Sequence, residues 1–347
     1  MEAVRTSRSA AWAVGPAPLC QKHVELTHSG EAVEAGGVVR TQPLVSILTT
    51  GGTIASRRFA DGARPALAAD ELVAGSAEAG VELRSREVLH LDSSSLLPED
   101  LDAVRSAVVA ELEDPSVTGV VLTHGTDTME ETAMLIDLMH ADPRPVIMTG
   151  AQRPADSLHA DGPANLSAAI AAAVDPLSRR RGVLIAMGGS LVPARGTAKF
   201  DSAADAPFAT VRADLPRALL PPTSIAGTRV DIVMLYPGVD PSIIGWCAGA
   251  GATGIVLVAT GSGNTHTRVV DAVADAIGRG VVVVVCSRVP RGEIVATYGG
   301  GGGAVDLAAR GAIISPWLRG PQARIALQAL LAGGAGHADV AEFFAAE

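Results

Sequence analysis

Aromatic side chains are scarce in this chain: five Phe, three Trp and two Tyr among 347 residues, or 3%. A core cannot be built around stacked rings and must come from Val, Leu, Ile and Ala, which suits parallel strands buried on both faces. Cysteine is scarce too. Cys20, Cys247 and Cys286 are odd in number and widely separated, which excludes a disulfide framework and a cysteine metal site and points to a reducing, cytoplasmic compartment. No apolar run approaches the ~18–20 residues that span a bilayer. The apolar patch near the start is broken by Gly15, Pro16 and Pro18, so it lacks the continuous stretch of a signal peptide. Positive charge is outweighed, 27 Lys and Arg against 37 Asp and Glu, for a net charge of −10. An acidic chain repels nucleic acid and anionic membranes, and no basic run is long enough to offset this. Phosphate-loop, HExxH zinc and GxSxG nucleophile motifs are absent. Gly261-Ser262-Gly263 lacks the third glycine of a dinucleotide fingerprint. Neither cofactor nor metal is expected.

What is present is a regular alternation. The length exceeds what one core commonly supports, so two domains are expected. Residues 1–43 lack periodicity and read as a disordered extension. VSILTT (45–50), VELRSREVLHL (81–91), GVVLTH (119–124), PVIMTG (145–150) and GVLIAM (182–187) read as strands. Helices are predicted over 69–79, from Pro98, over 127–140 and over 161–174, with Leu101, Val104, Val108 and Leu112 forming the apolar face of the second. This order predicts a doubly wound, mainly parallel Rossmann- or flavodoxin-like sheet. DIVMLY (231–236) is assigned as the last strand of a first domain spanning 44–236, and 237–252 as a linker. The remainder, 253–347, predicts a smaller α/β domain with strands at 254–260 and 281–287; the alternative is one continuous larger sheet.

In open parallel sheets, ligands bind beyond the carboxyl ends of the strands. Two polar clusters stand there: Thr49-Thr50-Gly51-Gly52-Thr53 after the first strand and Thr123-His124-Gly125-Thr126-Asp127-Thr128 after the third. Glycines let main chain approach a substrate and offer N–H donors. Hydroxyls beside them are candidate nucleophiles, and Thr126-Asp127 opens a helix whose N-terminus favours an anion. Read singly, each cluster is also an ordinary helix cap. His124 reads as structural, and Met129 and Met134 as core.

TTGGTIAS (49–56) and LTHGTDTMEETA (122–133), in this order, resemble the two signature motifs of the bacterial-type asparaginase/glutaminase family, and the chain is similar to that family over about 44–347. LDSSSLLPEDL (91–101), MTGAQRPADSLHADGPANL (148–166), ARGTAKF (194–200) and ATGSGN (259–264) extend the likeness, and the Asp-Ser-Ser motif resembles the cytosolic subgroup. The resemblance implies hydrolysis of L-asparagine through an acyl-enzyme. Thr53 matches the nucleophile, and Thr126, Asp127 and Lys199 match a second catalytic group whose threonine either attacks or activates water. Asp127 also matches the carboxylate that binds the substrate's α-ammonium group. Gly52 and Gly125 lie where oxyanion donors are needed, Ser93 and Ser94 match the α-carboxylate loop, and Ala151 matches the carbonyl that meets the leaving amide. Asn264 matches a residue supplied by a neighbouring subunit, which implies a homodimer or homotetramer; Glu293 is the nearest match to the acid supplied the same way. One departure stands out: the loop after the nucleophile lacks the family's tyrosine, and Ala63 occupies about its place, with Arg57, Arg58, Phe59 and Arg64 around it. Three other readings share these motifs: a glutaminase-asparaginase, the amidase subunit of a tRNA-dependent amidotransferase, and a catalytically silent sensor of Asn or Asp.

Overall fold

The computed structural model describes residues 42–74 and 80–347. The extension expected over 1–43 therefore lies outside the described residues except for its last two, as does the end of the helix expected over 69–79. The chain enters the fold at β1 (Leu44–Gly51), makes a short hairpin of β2 (Ser56–Phe59) and β3 (Gly62–Pro65), and continues through α1 (Ala69–Val73) to β4 (Glu82–Leu91). Then follow α2 (Pro98–Leu112), β5 (Val117–Thr123), α3 (Met129–Met139), β6 (Val146–Thr149), α4 (Gly162–Val174), β7 (Val183–Met187) and β8 (Ser190–Pro193). The strands order as β4-β1-β5-β6-β7-β8. All neighbours run parallel except β7 and β8. Counting only the parallel strands, this is the doubly wound order 2-1-3-4-5, whose connections diverge between β1 and β5.

Alternation along the strands divides the core. Leu48, Val120, Leu122, Met148 and Ile185 face α2 and α3. Val45, Ile47, Val121, Ile147 and Leu184 face α4. Burying each such side chain contributes about 1.5–3 kcal/mol. Pro98 sets the first turn of α2, and the Asp100 carboxylate accepts the Leu97 N–H at 2.8 Å, so proline and acid together start that helix.

The stretch 190–227, aperiodic in sequence, holds β8 and a two-stranded antiparallel pair, β9 (Thr197–Lys199) with β10 (Phe208–Thr210). A second, all-parallel sheet follows in the order β11-β12-β13-β14. Its elements are β11 (Val230–Met234), α5 (Ser242–Gly249), β12 (Gly254–Ala259), α6 (Thr267–Gly278), β13 (Val282–Ser287), α7 (Ala304–Ala309) and β14 (Ile313–Ile314), then α8 (Gly320–Ala332) and α9 (His337–Ala345). The boundary drawn at 236 is thereby corrected. β11 pairs with β12 from Val230↔Gly254 to Met234↔Val258 and belongs to the second sheet. The supposed linker contains α5, whose Ile244 and Cys247 are buried against that sheet. An apolar strand does not announce its partner, and a short apolar helix between prolines and glycines has no polar face to reveal its period.

The two sheets meet through helices. Met134, Leu135 and Leu138 of α3 join Ile325, Ala326 and Leu327 of α8 and Val256, Val258 and Val284 of the second sheet in one apolar cluster. No described helix is long and apolar enough to cross a membrane.

Candidate active site

β1 and β5 run side by side in register through Thr49↔Thr123, so their following loops leave the sheet at the same level. Gly51 and Gly52 turn the first loop with φ of +100° and +76°, a region that costs any side chain strain. Space is as restrictive as torsion. A Cβ on Gly52 would lie 2.4 Å from the Gly125 nitrogen, and one on Gly125 would lie 2.6 Å from Ser93 Oγ. The loops after β1 and β5 therefore touch main chain to main chain, and the Ser93 side chain after β4 closes on Gly125, at the place where the winding diverges.

This contact brings together Thr53, Thr126, Gly52, Gly125 and Ser93. Thr53 opens a 3-10 turn, Thr53–Ala55. Of the hydroxyls flanking it, Thr50 donates to Thr123 O at 3.0 Å and Ser56 to Gly52 O at 2.8 Å, whereas no described residue bonds that of half-buried Thr53. Thr126 is buried and engaged. Lys199 Nζ donates to its Oγ1 at 2.8 Å and to Asp127 Oδ1 at 2.7 Å. The Thr126 hydroxyl in turn faces Gln152 Oε1 at 3.3 Å. The Lys199 side chain is 17% exposed and that of Asp127 69%, so the carboxylate reaches into solvent while the ammonium lies inside.

Lys199 comes from β9 and is held by its backbone: its N–H donates to the Glu130 carboxylate. Burial pushes the Glu130 carboxyl up to about 7, with Glu131 adding to the shift and the Lys199 N–H and charge opposing it. Behind it, Gln322 of α8 donates to Glu130 O at 3.2 Å and Ala194 O at 2.7 Å and accepts from Gly196 N at 2.8 Å. His124 is fully buried and its imidazole is pushed down to about 4 by burial. Its Nδ1 must donate to Gly125 O at 2.7 Å, so Nε2 accepts from Thr132 at 2.9 Å. A neutral ring with both nitrogens spent is structural, as its place in the sequence suggested.

Ser93 is buried and its carbonyl accepts from Thr128 at 2.9 Å, while Ser94 is exposed. Ala151, 1% exposed, packs with Ile54 and Ala55 directly beneath the Thr53 turn. Asn264 is not part of this group. It lies in the turn after β12, its backbone bonded to Thr260, with a buried Oδ1 that has no partner among the described residues. Glu293 is exposed in the loop after β13. Gln152 and Glu130 join the group although neither was singled out in the sequence. Both lie inside motifs that carry the family resemblance, yet neither is matched to a role there; locally Glu130 reads only as an acid in the first turn of a helix.

The hairpin β2–β3 rises next to Thr53, with Arg58 opposite Ala63 and Arg57 opposite Arg64. Arg64 lies over the Phe59 ring at 4.3 Å. The Asp156 carboxylate accepts the Arg58 N–H at 2.8 Å, and Ala155 N–H donates to Ser56 O at 2.9 Å.

Residues 44–217 match the family model described as asparaginase, N-terminal, and residues 229–344 that described as glutaminase/asparaginase C-terminal domain. A probable L-asparaginase of Deinococcus radiodurans is 32% identical over 87% of this chain and 97% of its own length. L-asparaginase 2 of Escherichia coli is 30% identical over 85% of this chain and 90% of its own length. A glutaminase-asparaginase of Pseudomonas fluorescens is 30% identical over 72% of this chain and 77% of its own length. With both family models matched in sequence order, one for each sheet, and relatives spanning both, the chain belongs to the asparaginase family.

Proposed function

We propose that this chain hydrolyses L-asparagine to L-aspartate and ammonia. The observation that carries this reading is the contact of the two threonine loops across Gly52 and Gly125, with Lys199 bonded to Thr126 and Asp127. The Thr53 hydroxyl, free of described partners, attacks the side-chain amide carbon. Main-chain N–H groups of the glycine turns receive the developing oxyanion, a contribution of about 3–4 kcal/mol per donor. The Thr126–Lys199 pair takes the Thr53 proton during the attack and delivers it to the departing ammonia. It then takes a proton from the water that cleaves the Thr53 ester and returns it to the Thr53 oxygen, releasing aspartate and restoring both hydroxyls. Asp127, largely exposed, receives the substrate's α-ammonium group, Ser93 and Ser94 its α-carboxylate, and the Ala151 carbonyl the amide nitrogen.

Asn264 stands outside the group within one chain, and its unpartnered Oδ1 suits a role at a neighbour's site. The active form is then a homodimer or homotetramer. Glutamine is the second substrate to weigh, because the C-terminal family model and the Pseudomonas fluorescens relative carry glutaminase in their descriptions.

The test is ammonia release from purified protein with L-asparagine, L-glutamine or D-asparagine, alongside Thr53→Ala and Thr126→Ala. Turnover of L-asparagine is expected, falling at least a thousandfold in Thr53→Ala. Near wild-type release from that variant, together with a silent Thr126→Ala, would transfer the nucleophile to Thr126. No release by the wild-type chain would bring the sensor and the partner-dependent amidase readings to the front.

A further inference from the structure

A second polar cavity, of about 240 Å3, opens at the opposite edge of the first sheet, where β7 begins and β8 ends. Asp137, Arg181, Pro193, Arg195, Leu215 and Arg217 line it. Its charge does not balance. Asp137, 1% exposed, is its one carboxylate, and that carboxylate is fully spent. Oδ1 accepts from Arg217 Nε at 2.9 Å and Val183 N at 3.1 Å, and Oδ2 accepts from Arg195 Nε at 3.1 Å. Against this single negative charge stand three guanidinium groups.

Arg195 is buried and aims its remaining donors inward, at Pro216 O and Ala218 O. Arg217 uses Nε and Nη2, the latter on Asp137 O and His140 O. Its Nη1 and the whole of Arg181 have no partner among the described residues. Burial first, and then the charge of Arg217, push the Arg195 guanidinium down, against the pull of Asp137 and of Glu347, so Arg217 repels Arg195 across the one carboxylate they share. Glu347 does not line the cavity; its carboxyl is turned to Ser315, Trp317 and Leu318. Arg181, which lines the cavity, ends the longest unbroken basic run, Arg179-Arg180-Arg181, in a chain of net charge −10. Excess charge in such a confined space is what a multiply charged anion relieves, and guanidinium forks match its oxygens geometrically.

We infer that this cavity binds a small, doubly charged oxyanion of the phosphate type, held by Arg181 and Arg217 over the Asp137–Arg195 pair. It shares no side chain with the Thr53 group, so it stands whether or not the proposed hydrolysis does.

The experiment is thermal unfolding of the full chain against inorganic phosphate, with sodium chloride holding ionic strength constant, for wild type and Arg181→Gln. Arg181 is exposed and makes no ion pair with a described residue, so the variant should fold, and its circular dichroism and urea midpoint check this. The wild-type midpoint should rise saturably with phosphate, and the half-saturating concentration should increase at least fivefold in Arg181→Gln. Phosphate also stabilises proteins non-specifically by exclusion from their surface, but that rise does not saturate and ignores Arg181. A non-saturating rise, or identical curves for the two proteins, would overturn the assignment.

Discussion

Gly52 couples torsion and space in a single residue. With φ at +76° and the Gly125 main chain 2.4 Å from where a Cβ would stand, alanine there must both strain its own backbone and push the second loop away. We expect Gly52→Ala to cost about 2–4 kcal/mol in urea unfolding, strain and overpacking together. Ammonia release should be lost even at temperatures where the variant is folded. The doublet Gly51-Gly52 was legible in the sequence as a tight turn, but its partner was not, because no local pattern says which distant glycine it will touch. Lys199 illustrates the same limit: alone it reads as a solvated surface lysine, and only the family resemblance of ARGTAKF marked it. Substituting it by methionine should lower kcat at least a hundredfold with little change in KM, since the proposed mechanism gives its bonds to Thr126 and Asp127 a part in proton transfer; a change confined to KM would make it a binding residue.

Glu130 gives a prediction in pH. Its carboxyl ionises at about 7 in the fold against 4.5 when unperturbed, so between those values the native state holds a proton that the unfolded chain has released. The resulting stability is full below about 4.5 and is lost as pH rises through 7, on the order of 3 kcal/mol. Glu130→Gln keeps an oxygen for the Lys199 N–H and cannot ionise. Comparing urea unfolding of the two proteins at pH 5 and pH 8 should show the variant gaining on wild type at the higher pH. An unchanged difference would mean that water reaches the carboxylate.

At the scale of elements, legibility followed burial. β1, β5, β6, β7, β12 and β13 are continuous apolar runs because both faces are covered, and each could be read directly. The exposed hairpin β2–β3 and the three-residue strands β9 and β10 could not, since so few residues show no period. That hairpin is tied to the loop after β6 by Asp156, Ala155 and Ser157, and most of its side chains face solvent. Asp156→Ala should therefore change global stability by less than about 1 kcal/mol while speeding amide exchange across 56–65 and raising KM severalfold. Unaltered exchange there would show that the bonds of Ala155, Ser157 and Ala55 suffice as a latch.

For the whole molecule, two sheets were anticipated but the seam between them was misplaced, because β11 pairs forward rather than back. The two sheets are joined by α8. Gln322, 3% exposed, serves three main-chain groups around Lys199, and Arg324 pairs with Glu131 at 2.7 Å. Gln322→Leu would leave those groups dry and unpaired, at about 3 kcal/mol, and should lower ammonia release by loosening β9. Wild-type rates from a destabilised variant would show that β9 holds itself.

Gln322 also bears on how the chain could be divided. Pro221 and Pro222 are exposed between β10 and β11, so a nick there falls between the two sheets. The first fragment would own both threonines and the lysine yet lack the glutamine that steadies the lysine's strand; the second would own that glutamine and none of the chemistry. Ammonia production would then report the re-joining of two separately expressed pieces, a complementation assay in which each half is silent by itself.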